Sequence, residues 1–229
     1  MAWRPITILK IRKRMNLASF SLTVDTRGKA LVTRRRPWFC RKWRRDFSEV
    51  ERMSVKLIRP TQDYAKQVMK YKEEMLANGD RLDGCASLED VDSFEEWIDF
   101  ENRLKKKFGE GYVPSEVFLC VRTEDDKVVG IIDYRHPLSP FLLQYGGNIG
   151  YSILPSERKK GYAGEMLKLL LPICKEYGDD RVLVCCERDN EASRRTIVKN
   201  GGVLENEIKD DIGLGECGTI QRYWIDITA

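Results

Sequence analysis

One segment of the chain has the residue types and the spacing to bind an anion. The sequence GYSILPSERKKGYAGEML, at 150–167, contains an apolar strand, a basic turn after Pro155, and a helix entered through Gly161, Ala163 and Gly164. Small residues at such a turn let backbone N–H groups approach an anion closely, and the helix N-terminus adds a partial positive charge. The segment therefore predicts a pyrophosphate cradle, although a tight strand-to-helix turn with solvated lysines has the same signature.

Two further residues could transfer protons or contact a substrate. Glu187 follows a fully apolar strand predicted at 182–186, so burial there could make it a general base, with a helix cap or a surface carboxylate as the alternative. His136 precedes a proline and is either a base or substrate contact at a strand end, or a structural residue. Cys185 and Cys186 are predicted to be core residues of that strand.

Several kinds of chemistry lack the residues they would need. The chain has one histidine, and its seven cysteines form no C-x-x-C pair. A zinc site and a Ser-His or Cys-His nucleophile are therefore disfavoured, and we expect no metal. The odd number of scattered cysteines is typical of a reducing cytosol, so we expect a cytoplasmic protein. Apolar runs are shorter than the roughly 20 residues that cross a membrane, so we expect no membrane partner.

The elements that must position these residues alternate in type from Met53 onward. The apolar periodicity and the turn residues predict strands near 54–59, 117–121, 128–134, 149–154, 182–186, 203–208 and 219–227. The same patterns predict helices near 61–77, 92–107, 162–177 and 191–200. The predicted order is β-α-α-β-β-β-α-β-α-β-β, which indicates one mixed α/β domain over 53–229.

Charge divides the chain into an arm and a body. Residues 1–52 carry 15 Lys and Arg against 4 Asp and Glu, a net charge of +11, and the remaining 25 against 32 give the body −7. The two basic clusters of the arm, at 34–36 and 41–45, contain interleaved aromatic residues typical of a nucleic-acid-binding segment. A targeting peptide is a weaker alternative. We expect instead that this basic extension is disordered or misassigned, because Met53 opens a natural domain start.

Two motifs in this order of elements resemble those of the GNAT acyltransferase superfamily. Arg158-x-x-Gly161-x-Ala163 matches the Q/R-x-x-G-x-G/A signature in its strand–loop–helix context. Asn190-Glu191-Ala192-Ser193, followed by Gly201, is similar to the N-x-x-A/S segment one strand later. The runs at 134–138 and 146–151 also resemble a group of small bacterial acetyltransferases of undefined substrate. The resemblance covers about 177 of 229 residues and implies the GNAT-like acyl-CoA N-acyltransferase fold, a mixed α/β sheet.

The resemblance implies that acetyl-CoA binds as co-substrate between two splayed parallel strands. Backbone groups of Ile153 and Leu154 would hydrogen-bond the pantetheine arm, and Asn190 and Ser193 would reach its lower part. The pyrophosphate would be held by the basic turn and the first helical turn, which comprise Arg158, Lys159, Lys160, Gly161, Tyr162, Ala163 and Gly164.

Catalysis in this family needs no covalent enzyme intermediate, because the amine attacks the thioester directly. Many members carry a tyrosine seven residues after the motif asparagine, as the acid that protonates the leaving thiolate, and here that position is Ile197. The sequence offers Tyr223 as the substitute acid, with Tyr151 as the alternative, Glu187 as the base and His136 as a substrate contact.

The implied function is transfer of an acetyl group to a primary amine of a small molecule or a protein. The acidic body favours a cationic acceptor only weakly, nucleic acid is not the expected partner, and a homodimer is left open. The alternative is a non-catalytic CoA-binding module with a basic nucleic-acid-binding arm, which the absence of a tyrosine at position 197 and the +11 arm favour.

Overall fold

The computed structural model describes residues 20–24, 30–34, 54–106, 113–213, 215 and 217–228. The chain forms two compact units, Met1–Arg52 and Met53–Ala229. In the first unit, strands β1 (Phe20–Val24) and β2 (Ala30–Arg34) pair in antiparallel orientation. The rest of the basic extension at 1–52 lies outside the described residues, so its assignment as disordered or misassigned stays a prediction.

The second unit has the predicted order of elements. Its strands are β3 (Val55–Ile58), β4 (Ser115–Arg122), β5 (Val128–Arg135), β6 (Ile149–Ile153), β7 (Arg181–Glu187), β8 (Gly202–Lys209) and β9 (Thr219–Asp226). Its helices are α1 (Ala65–Ala77), α2 (Phe94–Leu104), α3 (Tyr162–Glu176) and α4 (Glu191–Lys199). Helix α2 is shorter than predicted at both ends: its first turn is capped by Ser93, whose hydroxyl accepts the N–H of Glu96 at 3.2 Å.

These strands form one seven-stranded mixed sheet in the order β3-β4-β5-β6-β7-β9-β8. Every neighbouring pair is antiparallel except β6 and β7, which run parallel. The predicted mixed α/β class is therefore confirmed. The parallel pair in the middle of the sheet is connected by α3, which crosses one face.

Each face of the sheet is covered by its own pair of helices. Buried residues of α3 and α4, such as Met166 and Ile197, pack with Val184 on one face. Buried residues of α1 and α2, such as Tyr71 and Trp97, pack with strand residues on the other. Side chains alternate along a strand, so Val182, Val184 and Cys186 face α3, whereas Cys185 and Glu187 face the side of α1 and α2.

The cysteines were predicted to be buried thiols of a reduced protein. All six in the described residues are free: Cys85, Cys120, Cys174, Cys185, Cys186 and Cys217. Cys186 is a core residue as predicted, whereas Cys185 is only partly buried on the opposite face. Within the described residues, none of the helices has the length and apolar character needed to span a membrane.

Candidate functional site

A gap opens in the middle of the sheet, between the two parallel strands. Among the described residues, β6 and β7 share one ladder pair, Ile149 with Val184, and one isolated bridge, Gly147 with Val184. Beyond that point β6 remains paired with β5 as far as Ile153, and β7 remains paired with β9 as far as Glu187. The inner edges of 150–153 and 185–187 therefore border a wedge-shaped gap.

At the apex of the gap, where β6 and β7 meet, the side chain of Asn148 makes a hydrogen bond that a backbone group would make in a regular ladder. The N–H of Asn148 donates to the Leu183 carbonyl at 2.7 Å, and its Oδ1 accepts the Leu183 N–H at 2.8 Å. Its Nδ2 also donates to the Arg135 carbonyl at 3.0 Å, so this buried amide ties β7 to β5 as well. The preceding Gly147 has φ +70°, and a Cβ there would lie 2.5 Å from the Leu183 carbonyl oxygen. Only glycine fits this close approach.

Along β6, the backbone N–H and C=O groups of successive residues point alternately toward β5 and toward the gap. The hydrogen bonds to β5 show which residues face the gap. The N–H of Leu154 donates to Val129, and the N–H of Arg135 donates to the carbonyl of Asn148. Because hydrogen-bonded pairs alternate in an antiparallel ladder, the backbone groups of Tyr151 and Ile153 point toward β7. The expectation for Leu154 is therefore corrected: its N–H is used by Val129 and its carbonyl accepts the N–H of Glu157 at 2.9 Å.

The gap leads to the N-terminus of α3, whose start differs from those of α2 and α4. The N-caps Ser93 of α2 and Asn190 of α4 accept a backbone N–H with their side chains, but the N-cap of α3 is Gly161. Gly161 has φ +92°, and no described atom lies within 4 Å of a Cβ built on it. Helix α3 thus begins without a side-chain cap on its first N–H groups and with the helix dipole behind them, as an anion-binding site requires.

The loop before α3 curves so that its amides can converge. Lys159 and Gly161 both have positive φ, of 64° and 92°. Such alternation directs successive N–H groups into one concave surface, which binds anions. The small residues Ala163 and Gly164 follow in the first turn, and Tyr162 is buried beneath it. The geometry therefore fits the phosphates of a CoA ester.

The basic side chains of this loop have partners within the chain. Arg158 pairs with Asp80 at 2.8 Å and donates to the Ile153 carbonyl at 3.2 Å. Lys160 pairs with Glu157 at 2.7 Å. These pairs brace the loop, but all three cations at 158–160 are exposed, so the expectation that they hold the pyrophosphate stays a prediction.

Glu157 is the anchor of this loop. Its buried carboxylate contacts Arg122 at 2.7 Å and Lys127 at 2.6 Å, in addition to Lys160. Burial alone would raise the pKa of Glu157, but the hydrogen bonds from Lys127 and Lys160 outweigh it and hold the pKa at about 2. Three cations around one carboxylate leave the local charge positive.

On the other side of the gap, the start of α4 carries Asn190 and Ser193. The side chain of Asn190 accepts the N–H of Ser193 at 3.0 Å and so caps the helix. The hydroxyl of Ser193 lies 2.8 Å from the hydroxyl of Tyr151, which reaches over from β6. Tyr151 and Ser193 therefore meet at the gap, on the face of α3 and α4.

The two candidate tyrosines have different surroundings. Tyr223 is buried in β9, on the far side of β7 from the gap, and donates to Gln221 at 2.7 Å. Tyr151 borders the gap itself, and burial raises the pKa of its hydroxyl well above the usual range. Burial also raises the pKa of Tyr223. The structure thus favours Tyr151 over Tyr223 as a proton donor, while Ile197 is fully buried in the core.

Glu187 lies at the end of β7 beside the gap, as predicted. Its carboxylate is 3.2 Å from Arg81, which also pairs with Asp83 at 3.0 Å. Arg81 and Asp83 belong to the loop between α1 and α2, so that loop spans the opening of the gap. Possible ligand atoms of Glu187, Asp189 and Cys217 lie within 4.8 Å of one another, and these are the residues that could hold a metal. The expectation of no metal stays a prediction.

His136 lies elsewhere. Its Nδ1 is 3.0 Å from Asp179, just beyond the C-terminus of α3, and its ring stacks on Tyr134. Helix α3 has 15 residues, so the two ends of the helix are roughly 22 Å apart. His136 therefore lies far from the anion-binding end of α3, and the expectation that it contacts the substrate stays a prediction.

A split mixed sheet with an uncapped helix at the end of the split is the architecture of an acyl-CoA N-acyltransferase. Residues 55–203 match the family model described as "Acetyltransferase (GNAT) domain". That match covers more than half of the chain, so the chain belongs to the GNAT acetyltransferase family and is an acyltransferase enzyme. The family resemblance inferred from the two motifs is confirmed. No curated protein sequence matches the chain.

Solved structures share this fold at low sequence identity. The ribosomal L7/L12 alpha-N-protein acetyltransferase RimL in complex with coenzyme A is 20% identical, with 77% of this chain and 96% of that chain covered and a TM-score of 0.58. The microcin C7 self-immunity acetyltransferase MccE, in complex with acetyl-CoA and AMP, is 17% identical over 76% and 92%, with a TM-score of 0.56. The acetyltransferase from Salmonella typhimurium that modifies the N-terminal serine of L7/L12 is 20% identical over 76% and 95%, with a TM-score of 0.54.

Proposed function

We propose that this protein transfers the acetyl group of acetyl-CoA to a primary amine of a small molecule or a protein. The observation that carries the proposal is the continuity of the gap between β6 and β7 with the uncapped N-terminus of α3. Acetyl-CoA has an extended pantetheine arm that would lie in the gap and a pyrophosphate that would lie at the helix N-terminus. The catalytic domain is proposed to be 53–229, and the compartment the cytoplasm.

Acetyl-CoA would be held mainly by backbone groups. The N–H groups of 159–163 would bind the pyrophosphate, with Lys159 adding charge, whereas the N–H of Gly164 donates to the Gly161 carbonyl. The gap-facing groups of Tyr151 and Ile153 would pair with the pantetheine amides as a neighbouring strand does. Asn190 and Ser193 would line the opposite side. Arg158 and Lys160 would act indirectly, by bracing the loop.

Acetyl-CoA supplies an activated acyl group when bound, and the remaining steps fall to this chain. Glu187 would take the proton of the attacking amine, either directly or through water. A β6 N–H directed into the gap would hydrogen-bond the acyl oxygen as negative charge develops on it. The Tyr151 hydroxyl would return a proton to the departing sulfur. Tyr223, whose hydroxyl is bonded to Gln221 away from the gap, is not retained in this role.

The acceptor and the partners are not determined by the fold. RimL is an acetyltransferase of a ribosomal protein, and MccE is in complex with AMP, so relatives of this fold differ in what they bind. We propose an amine acceptor for this chain, no metal and no role for nucleic acid, and we leave a homodimer as a proposal. Membership in an acetyltransferase family argues against a non-catalytic CoA-binding module.

The proposal is tested with the full chain, acetyl-CoA and a panel of amines. For at least one amine, we expect release of CoA and an acetylated product that mass spectrometry detects. Calorimetry is expected to show direct binding of acetyl-CoA. Absence of acetyl-CoA binding would overturn the proposal, whatever the acceptor.

A further inference from the structure

A guanidinium lies at the base of the gap, on the face opposite α3. Arg135 ends β5, and a Cβ on Gly150 would lie 2.5 Å from its Nη2. Gly150 is the first residue of β6 beyond the last pair with β7. Across the gap is Cys185, whose pKa burial raises to about 12, while Arg222 and Arg135 act in the opposite direction. The Arg135 side chain thus lies between the two strands where they separate.

A buried carboxylate fixes the orientation of this guanidinium. The Nε of Arg135 donates to Oδ2 of Asp133 at 2.7 Å. The other oxygen of Asp133 accepts the N–H of Gly150 at 2.9 Å. Asp133 is 4% exposed, and both of its oxygens are engaged. It therefore acts as a positioning residue for Arg135 and presents no free oxygen to a ligand.

The outer edge of the guanidinium remains available. Its Nη1 has one long contact, 3.4 Å from the Gly146 carbonyl, and its Nη2 donates to no acceptor among the described residues. The Arg135 side chain is 22% exposed, so part of it remains accessible. A planar guanidinium with spare N–H groups is the side chain best matched to a carboxylate.

The mouth of the same gap carries two carboxylates with a guanidinium between them. Glu187 lies two residues beyond Cys185 on the same face of β7, about 7 Å farther along the strand. Asp83 lies beside it, joined to it through Arg81. The acceptor side of the gap therefore offers a cation at its base and carboxylates at its mouth. A molecule that bears both an amine and a carboxylate complements both ends.

We propose that the acceptor is an amino acid, and that Arg135 binds its carboxylate while its amine lies at Glu187. This inference rests on the proposed function, because it names the acceptor class of the same site. An amine without the carboxylate would cover the Arg135 donors and leave them unpaired, which costs far more affinity than the lost contact alone. Gly150 is required because a side chain there would occupy the space of the guanidinium.

The test compares amino acids with the amines that differ from them only by the carboxylate. The full chain is assayed with the 20 amino acids and with matched pairs such as phenylalanine and phenethylamine, or lysine and cadaverine. The best amino acid is expected to exceed its amine in kcat/KM by about 100-fold. Equal rates within pairs would overturn the inference, as would acetylation of no amino acid by a protein that binds acetyl-CoA.

Variants at Arg135 localise the effect. Arg135→Gln is expected to raise KM for the amino acid about 100-fold while leaving kcat/KM for the paired amine and the Kd of acetyl-CoA within about threefold. The double variant Asp133→Asn/Arg135→Gln leaves no lone buried carboxylate, so it repeats the test if the single variant unfolds. Arg195→Gln, on the exposed surface of α4, is the control. Equal loss for both members of a pair would overturn the inference.

Failure of the proposed function is distinguishable from failure of this inference. If the wild-type chain does not bind acetyl-CoA, the proposed function fails. Calorimetric titration with the amino acids alone then tests whether Arg135 forms a carboxylate site. Heat of binding that is lost in Arg135→Gln supports the carboxylate site, and equal or absent heat in both proteins overturns it.

Discussion

Asn148 and Leu183 are joined by two hydrogen bonds, of 2.7 Å from backbone to carbonyl and 2.8 Å from N–H to side-chain oxygen. Asn148, the residue directly before β6, thus bonds β7 once with its backbone and once with its side chain. These bonds and the ladder pair of Ile149 with Val184 hold the two strands together at one end of the gap, and beyond that pair the strands diverge. We infer that the pair of Asn148 and Leu183 fixes the apex of the gap.

Removal of the Asn148 side chain should loosen the apex of the gap. Asn148→Ala leaves the Leu183 N–H and the Arg135 carbonyl without their buried partner, at a cost of about 2–4 kcal/mol of unfolding free energy. Acetyl-CoA affinity should fall about tenfold, because the strand edges no longer hold their spacing. Urea denaturation and calorimetry measure the two effects. Asn102→Ala, on the exposed face of α2, should change neither, and an equal effect there would contradict the prediction.

The Glu187 carboxylate should matter for turnover and not for cofactor binding. Glu187→Gln keeps the size of the side chain but removes its basicity, so kcat/KM for the acceptor should fall about 100-fold. Acetyl-CoA binding, measured by calorimetry, should stay within about twofold of the wild type. The matched control is Asp189→Asn, the next carboxylate in the same loop, with an expected change below about threefold. Equal losses in both variants would assign the effect to general electrostatics.

Tyr151 and Tyr223 should respond differently to loss of their hydroxyls. Tyr151→Phe should lower kcat by about 10- to 100-fold, since the proton donor to the sulfur is removed. Tyr223→Phe should leave kcat nearly unchanged and lower the unfolding free energy by about 1 kcal/mol, because Gln221 loses its bond. Steady-state kinetics and thermal unfolding separate the two. The opposite pattern would restore Tyr223 as the acid.

Glu157 should stabilise the fold in a pH-dependent way. Its pKa in the folded protein is about 2, below the ordinary 4.5, so its ionised form is stabilised by folding. This contribution, on the order of 2 kcal/mol, is fully present above about pH 4.5 and is lost as the pH falls toward 2. The difference in unfolding free energy between wild type and Glu157→Gln should therefore shrink across that window. Glu176→Gln, an exposed carboxyl on α3, should show no such difference, and a pH-independent gap for Glu157→Gln would refute the linkage.

The sequence predicted the order of elements and the anion cradle because both depend on local patterns. Apolar periodicity fixed every strand and helix of 53–229 to within a few residues, and glycine at 161 marked an uncapped helix start. The side chain of Asn148 acts on Leu183, which is 35 residues away, so no spacing could reveal it. The alternation of apolar residues also predicts which face of a strand a residue occupies, but it does not predict which residue of another element packs against it.

The details of the site that the sequence could not predict have the same origin. Arg158 and Lys160 are paired with Asp80 and the buried Glu157, and their expected contact with an anion stays a prediction. The expectation for Leu154 was wrong because its N–H group points toward β5 and donates to Val129, not toward the gap. His136 follows the end of β5, and because β5 is antiparallel to β6 it lies far from the anion-binding loop. Each outcome depends on long-range pairing.

The most direct test of the acetyl-CoA site compares two glycines of the same conformation. Gly161 and Gly178 have φ of 92° and 97° and lie at opposite ends of α3, each with open space where a Cβ would be. Gly161→Glu and Gly178→Glu should therefore suffer similar backbone strain, of about 1 kcal/mol each. Calorimetric titration of the full chain should show micromolar acetyl-CoA binding for the wild type and for Gly178→Glu. For Gly161→Glu the Kd should rise at least about 100-fold, since a carboxylate would meet the pyrophosphate. Equal affinity in both variants, or no binding by the wild type, would contradict the account.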